Sequence, residues 1–511
     1  MQHVVDRWQG LVHDIFLCRF RSLPPAALLR QRRSLQTKCA FERERFGLYI
    51  IDFMKRAALF ILAAALAVAA PGHSADARLS KSFRKPAQAG WIFVHLEGKP
   101  AQIGYQHGYL LAPEIADAQK AIKLALTHES KDWNYFRNVS EKVLWPHVEA
   151  EYREELNGIV AGLAAKGVKL DLWDVVTMNA WLELDPYYVK WADKNSGRST
   201  AEHCSAFVAT GSYTKDGKPV IAHNNWTDYM TGSRWNIIFD ITPEHGERFI
   251  MDGMPGLIHS GDDFGINAAG IMITETTITG FNGFDPNGIP EFVRARKAMQ
   301  YAASIDDFAR IMKEGNNGGY ANDWLVADRN TGEVASLELG LKHVNLWRTK
   351  DGYFAGSNYP IDPALAKDET DFNLQDASLS ANARHIRWDS LLTEYKGRID
   401  VALGQKFLGD HYDTFEKKVE PNERTLCGHI ELSTRGSKPW QPSYGTAGAV
   451  QNKVADATMA AAMSFTASMG HSCGIDFKAA KHLKAHPEFA WEKPVLRDLD
   501  SHPFTTFTVS K

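Results

Sequence analysis

The strongest constraint on the fold is a change of hydrophobic period at Cys204. Ahead of it the chain reads as helix. Apolar residues recur at helical spacing over 140–165 and stop at Gly167, and a second run from Leu170 to Leu184 opens behind Asp171, a residue type that caps helix N-termini. WIFVHLEG, from Trp91, predicts one early strand, and GYQHG (104–108) predicts a Gly-rich turn leading into a helix. Segment 191–203 is polar and loop-like. After it the pattern becomes strand and turn. CSAFVAT and PVIAHN flank an Asp216-Gly217 turn, FGINAAGIMITETTI predicts another hairpin, and NDWLVADRNTGEVASLEL folds about Asn330-Thr331-Gly332. A helix pair, PEFVRARKAMQYAASIDDFARIMKE, interrupts this meander. Antiparallel sheets need their apolar faces covered, so the reading is an α+β sandwich of sheets covered by helices, with 78–511 as one domain.

Composition narrows the class. With 44% hydrophobic and 23% charged residues the chain is an ordinary globular one, neither fibrous nor disordered. A net charge of -3, from 58 basic and 61 acidic residues, argues against a nucleic-acid partner. Met54-Lys55-Arg56, the apolar run AALFILAAALAVAA and Ala75-Asp76-Ala77 have the plan of a signal peptide over 54–77, too short in its apolar part to span a bilayer. Residues 1–53 then read as a mis-assigned upstream extension. The expectation is a secreted or periplasmic protein with no stable membrane span after signal removal. Cys18 and Cys39 would leave with the leader. Of the rest, Cys427 and Cys473 are a possible disulfide, leaving Cys204 free.

The chemistry search is mostly negative. There is no G-x-S-x-G, no G-x-x-x-x-G-K-[ST], no G-x-G-x-x-G and no H-E-x-x-H, and the 19 histidines show no recognised metal-ligand spacing. Cys204 remains. It opens the first strand of a hairpin whose return strand ends in His223-Asn224-Asn225-Trp226, so antiparallel pairing carries His223 towards the thiol. A thiol beside an imidazole is a nucleophile arrangement. Two ordinary strands with a core Cys and a rim His would give the same pattern. A papain-like protease fits less well, because its nucleophile opens a helix.

The runs HCSAFVATGSYTKDGKPVIAHNNW, ITETTI (273–278), NDWLVAD (322–328), SANARHIRWDSL (380–391) and GAVQNKVADATMA (448–460), in this order, resemble the phospholipase B-like proteins. More distantly they resemble the penicillin acyltransferase and choloylglycine hydrolase branch of the N-terminal nucleophile (Ntn) hydrolases. The acyltransferase branch carries Asp where this chain has Trp226, which places the chain nearer the phospholipase B-like side. The resemblance implies a four-layer αββα sandwich and autoproteolysis of the His203–Cys204 bond. It divides the chain into a mostly helical 78–203 segment, separated by the cut yet still docked, and a catalytic segment 204–511. Cys204 would be the nucleophile, its freed α-amine the base. His223 and Trp226 would line it, with Thr276 or Thr277 beside it. Asn322 would serve the oxyanion, and Arg384 would hold a carboxylate or another site residue, Arg387 being an equal chemical candidate. No metal or organic cofactor is implied. The implied partner is a small acylated substrate or phospholipid, cleaved at an amide or ester bond through a Cys204 thioester. Transfer of the acyl group to an amine, or lipid or peptide binding without turnover, are the alternatives.

Overall fold

Strand-forming residues gather into two stacked sheets. The computed structural model describes residues 76–128, 131–193, 204–438 and 440–510, within the compact unit Ala77–Lys511. The upstream extension 1–53, nearly all of the signal peptide, Cys18, Cys39 and His203 lie outside the described residues. The first sheet has nine strands. In spatial order they are β1 (Phe83–Arg84), β2 (Ile92–Gly98), β5 (Ile237–Pro243), β6 (Phe249–Gly253), β7 (Gly265–Asn267), β8 (Ile271–Thr277), β9 (Asn322–Asp328), β10 (Glu333–Leu339) and β11 (Val344–Thr349). The second has six: β12 (Gly352–Gly356), β3 (Ser205–Thr210), β4 (Val220–Asp228), β15 (Ala447–Asp456), β16 (Ser464–Met469) and β17 (Thr505–Thr508). A two-stranded ribbon, β13 (Tyr412–Asp413) and β14 (Lys418–Val419), stands apart. Pairing is antiparallel except between β2 and β5, where Ile92 is opposite Ile237. The whole helical segment separates those two strands in sequence, and a crossover of that length permits a parallel pair.

Nine helices matter for the layers: α1 (Pro100–Leu110), α2 (Ala112–Thr127), α3 (Trp133–Val139), α4 (Ala150–Ala165), α5 (Leu172–Asn179), α6 (Glu291–Tyr301), α7 (Ile305–Lys313), α8 (Ser380–Glu394) and α9 (Val401–Leu408). Three apolar cores separate four layers. Ile122, Leu156 and Phe308 pack with Val94, Phe239, Ile273 and Trp324 between helices and the nine-stranded sheet. Ile238, Met272 and Leu325 meet Ala206, Ile221 and Phe465 between the sheets. Phe207, Ala222 and Val454 meet Trp388, Leu392 and Phe407 beneath α8 and α9. The αββα sandwich is therefore present. Strands buried on both faces also explain why β3, β8 and β9 carry almost no polar alternation.

Local signals act as expected at Asp171, whose carboxylate accepts from the backbone N–H groups of Trp173 and Asp174 while Asp174 reciprocates. The GYQHG run differs from its reading. It is not a turn but the middle of α1, which begins at Pro100. Its glycines serve close helix packing. A Cβ on Gly104 would lie 1.9 Å from the Glu155 carbonyl oxygen, and one on Gly108 would lie 2.1 Å from that of Ile159. Gly158 and Gly162 of α4 answer from the other side, at 2.4 and 2.3 Å from the carbonyls of Ala101 and Tyr105. Two small-residue stripes thus let the backbones touch. No helix among the described residues is long and apolar enough to cross a membrane.

Gly104→Val would force α1 off α4. The expected loss is ~1–3 kcal/mol, the usual cost of overpacking, and occasionally more. Denaturant unfolding of the full chain measures it, and an unchanged midpoint would contradict the backbone-on-backbone contact.

Candidate active site

Cys204 stands at the N-terminal end of β3, one residue before Ser205 pairs with Asn224 of β4. It is 1% exposed, and its backbone has φ +81°, the left-handed region that a residue with a Cβ rarely takes. Its Sγ lies 3.9 Å from Asn225 Oδ1 and 4.0 Å from Glu275 Oε1. Donor atoms of Cys204, His223 and Glu275 all fall within 4.8 Å of one another. Hairpin pairing accounts for the imidazole: His223 is opposite Ala206, two residues beyond the thiol.

Arg384 of α8 reaches the same point from the outer layer. Its Nη1 donates to the Cys204 carbonyl at 2.5 Å and to Ser205 Oγ at 3.0 Å. Nη2 donates to Asn358 Oδ1 at 2.9 Å, and Nε to Ser380 Oγ at 3.0 Å. The guanidinium also stacks 4.3 Å from the centre of the Trp226 ring. Arg387, the other arginine considered, is bound instead to Asp410 at 2.8 and 2.6 Å.

Other positions separate by strand face. The Trp226 indole does not face the thiol. It packs with Ile430, Ala447 and Ala449 on the opposite face of β4, while its backbone N–H interacts with the thiol. Thr276 meets β12, where a Cβ on Gly356 would sit 2.3 Å from its Oγ1. Thr277, which interacts with the Tyr320 hydroxyl, pairs with Asn322, whose side-chain amide is buried without a hydrogen-bond partner among the described residues. Cys427 and Cys473 form no disulfide; both thiols are free, each 3.5 Å from His429 Nε2.

Six further residues belong to this site. Asn225 and Glu275 touch the thiol. Tyr320 donates to Glu275 Oε1 at 2.9 Å. Behind His223, Asp262 Oδ2 stands 3.6 Å from Nδ1 and accepts from the buried Lys453, which also donates to Asp252 at 3.1 Å. Lys453 and Glu275 are charged residues inside fully buried strand segments, GAVQNKVA and IMITETT.

Burial dominates the electrostatics. It pushes the Cys204 thiol well above the ordinary thiol range, with the carboxyls of Glu275 and Asp262 adding to it and the Trp226 N–H and Lys453 opposing. Burial, then the Lys453 charge, holds His223 far below its usual range, so the imidazole is neutral. Burial, aided by Asp263, raises Glu275. Asp252 is raised by burial and by its neighbour Asp262. Burial raises Asp262, but the Lys453 charge and the hydrogen bonds from Lys453 and Asp252 outweigh it, so Asp262 is lowered. The pair therefore holds one proton and one negative charge facing Lys453.

A cavity of about 990 Å³ opens beside this constellation, lined by Trp181, Tyr187, Met230, Thr277, Tyr320 and Trp440 among others. Tyr320 joins the two, since it lines the cavity and bonds Glu275.

Residues 115–344 match the family model described as Phospholipase B. A putative phospholipase B-like 1 protein of Caenorhabditis elegans is 24% identical over 59% of this chain and 57% of its own. The chain is similar to the phospholipase B-like proteins. It also matches the 40 kDa form of an acyl-coenzyme A:6-aminopenicillanic-acid-acyltransferase of Emericella nidulans, 26% identical over 48% of this chain and 63% of that one. The chain spans about half the length of curated relatives it matches. Among solved structures, a mutant conjugated bile acid hydrolase from Clostridium perfringens covers 52% of this chain and 89% of its own at 12% identity, with a TM-score of 0.31. At that score the architecture is judged from this chain's own layers.

The buried charges make two positions informative. Lys453→Met leaves Asp262 ionised without its cation, and removing one partner of a buried pair costs ~3–5 kcal/mol. Denaturation midpoints should fall accordingly. Asp323, opposite Thr276 in the register, is raised to about 7, because burial outweighs the hydrogen bond from Ser336. A carboxyl raised on folding binds more protons folded than unfolded, so its contribution is complete at low pH and declines from about pH 4 to about pH 7. Asp323→Asn should therefore flatten the fall of stability across that window relative to the parent chain. An identical slope would remove Asp323 from the account.

Proposed function

We propose that the chain is an exported, self-processing cysteine hydrolase that cleaves an amide or ester bond of an acylated substrate. The observation that carries this reading is Cys204 itself. It immediately precedes β3, has a left-handed backbone and a carbonyl bound by Arg384, and has its sulfur against His223, Asn225 and Glu275 beside a large cavity.

In processing, Sγ attacks the carbonyl carbon of His203, the C–N bond breaks, and the Cys204 nitrogen takes the proton. Water then hydrolyses the thioester, leaving a carboxylate on His203 and a free α-amine on Cys204. Strained backbone costs ~1–3 kcal/mol, and scission at a residue with φ +81° releases it. Before the cut the thiol is protonated by its burial, so the intact chain stores a weak nucleophile.

After the cut the α-amine, with an ordinary pKa of about 7.7–8.0, takes the thiol proton near neutral pH. The Arg384 bond to the Cys204 carbonyl keeps the new terminus in place. Asn225 Nδ2 and Asn322 Nδ2, both buried and without a hydrogen-bond partner among the described residues, supply donors for the oxyanion. The acyl chain occupies the cavity against Trp181, Tyr187 and Met230. The acid then leaves by hydrolysis of the Cys204 thioester. The match to an acyltransferase favours a second outcome at the same intermediate, attack by an amine in place of water.

Denaturing electrophoresis and N-terminal sequencing of purified protein test this. Two fragments are expected, the second beginning at Cys204. Cys204→Ala should give one uncut chain whose turnover of acyl amides and phospholipids falls more than ~10³-fold. Arg384→Met should slow processing by about 10²-fold, because a misplaced nucleophile forfeits its alignment. A fully active chain with an intact 203–204 bond would overturn the proposal. New amides formed when amines are added would assign transfer rather than hydrolysis.

A further inference from the structure

Away from the thiol at β3, the C-terminal loops gather four soft ligands. His411 follows α9, Cys427 and His429 lie in the loop beyond the β13–β14 ribbon, and Cys473 follows β16. One ligand atom from each lies within 4.8 Å of all the others. His429 Nε2 is 3.5 Å from Cys427 Sγ and 3.5 Å from Cys473 Sγ. Zinc bonds of ~2.3 Å to sulfur and ~2.0–2.1 Å to nitrogen, at a tetrahedral angle, place ligand nitrogen and sulfur ~3.5–3.6 Å apart. The observed separations are those of a tetrahedron's edges.

The surroundings favour a cation in this place. His411 Nε2 is buried, and the His411 ring interacts with the Cys473 thiol. His429 Nδ1 is 2.8 Å from Glu431 Oε1, which orients the ring so that Nε2 faces the sulfurs. Glu431 in turn accepts from Tyr229 at 2.6 Å, and His471 stacks on His429 with ring centres 4.0 Å apart. A carboxylate behind a ligating imidazole fixes its tautomer and raises its basicity. Cys427 and His429 are buried, whereas His411 and Cys473 are partly exposed, which leaves a route in from solvent.

We propose that His411, Cys427, His429 and Cys473 form a structural zinc site. Four protein ligands close the coordination sphere, so the ion would hold loops together rather than activate water. Binding would release the two thiol protons to solvent as the thiolates coordinate. The loops held are those behind the Cys204 site. Asn224 on β4 donates to the carbonyls of Leu408 and Leu426, and Gly428 lies on the Trp226 indole, where a Cβ would meet the ring at 2.2 Å. This site is independent of whether the 203–204 bond is cut.

The test uses the full chain, purified without chelator. Elemental analysis should find about one zinc per chain, retained on dialysis. Refolding or exchange with Co²⁺ should give a thiolate-to-cobalt charge-transfer band and the visible bands of a tetrahedral ion. Alkylation followed by intact-mass measurement should label Cys427 and Cys473 only after a strong chelator is added. Cys427→Ser with Cys473→Ser should abolish both zinc and cobalt signals; if that variant fails to fold, the cobalt spectrum of the unaltered chain decides. Metal-free protein with both thiols freely alkylated, metal-free protein with a Cys427–Cys473 disulfide, or zinc retained by the double variant would each overturn the proposal.

Discussion

A buried guanidinium ties the outer helical layer to Cys204, the residue just ahead of β3. Arg384 belongs to α8, yet its hydrogen bonds end on Cys204, Ser205 and Asn358 as well as on Ser380 of its own helix, and its flat face rests on Trp226. Removing such a group from water is expensive unless its donors are satisfied in fixed directions. The fork meets that condition only if α8, β3 and the turn after β12 keep their relative positions. The cost of burying the charge thus becomes rigidity at one carbonyl. A lysine could not do the same, since its ammonium lacks the planar set of donors.

The inter-sheet layer shows the same dependence on position. Most of it is aliphatic, but Asp252, Asp262 and Lys453 replace apolar contacts at one end, behind His223. Burial first, and these charges second, set the neighbours' protonation. Lys453 and burial keep His223 neutral, and burial keeps Cys204 a thiol. Under the proposed processing, the freed α-amine is the charged group that would activate a site held inert in this way. Thiol burial and a later nucleophilic role are therefore compatible: desolvation protects the sulfur first and strengthens every electrostatic contact afterwards.

Much of the architecture was legible because hairpins declare themselves locally. The Asp216-Gly217 turn and the strands beside it fix which end of β4 meets Cys204, and the observed register follows that logic. The Gly104–Gly108 run was misread because glycines that permit a turn and glycines that permit two helices to touch look alike in one segment; only the partner stripe at Gly158 and Gly162 distinguishes them. Trp226 illustrates a different limit. Its indole packs away from the thiol, yet its N–H still interacts with the sulfur, so backbone and side chain of one residue serve two layers. The cluster around His429 was invisible for a third reason. Its ligands come from three segments whose spacing follows no short motif, and only the folded loops bring them together.

Those loops bear on the site through packing rather than contact. Gly428 can lie on the indole of Trp226 because it has no Cβ, and the indole in turn presents its face to Arg384. Displacing the 427–429 segment would therefore loosen the ring, then the guanidinium, then the carbonyl of Cys204. Each step is a close-packed contact with little slack, so a small shift at one end is transmitted instead of absorbed. The chain relies on its C-terminal loops to hold still a sulfur that enters the fold far earlier in the sequence. That dependence makes the αββα sandwich, with α8 and α9 as the outer layer that reaches Cys204, a physical requirement of the site and not merely its scaffold.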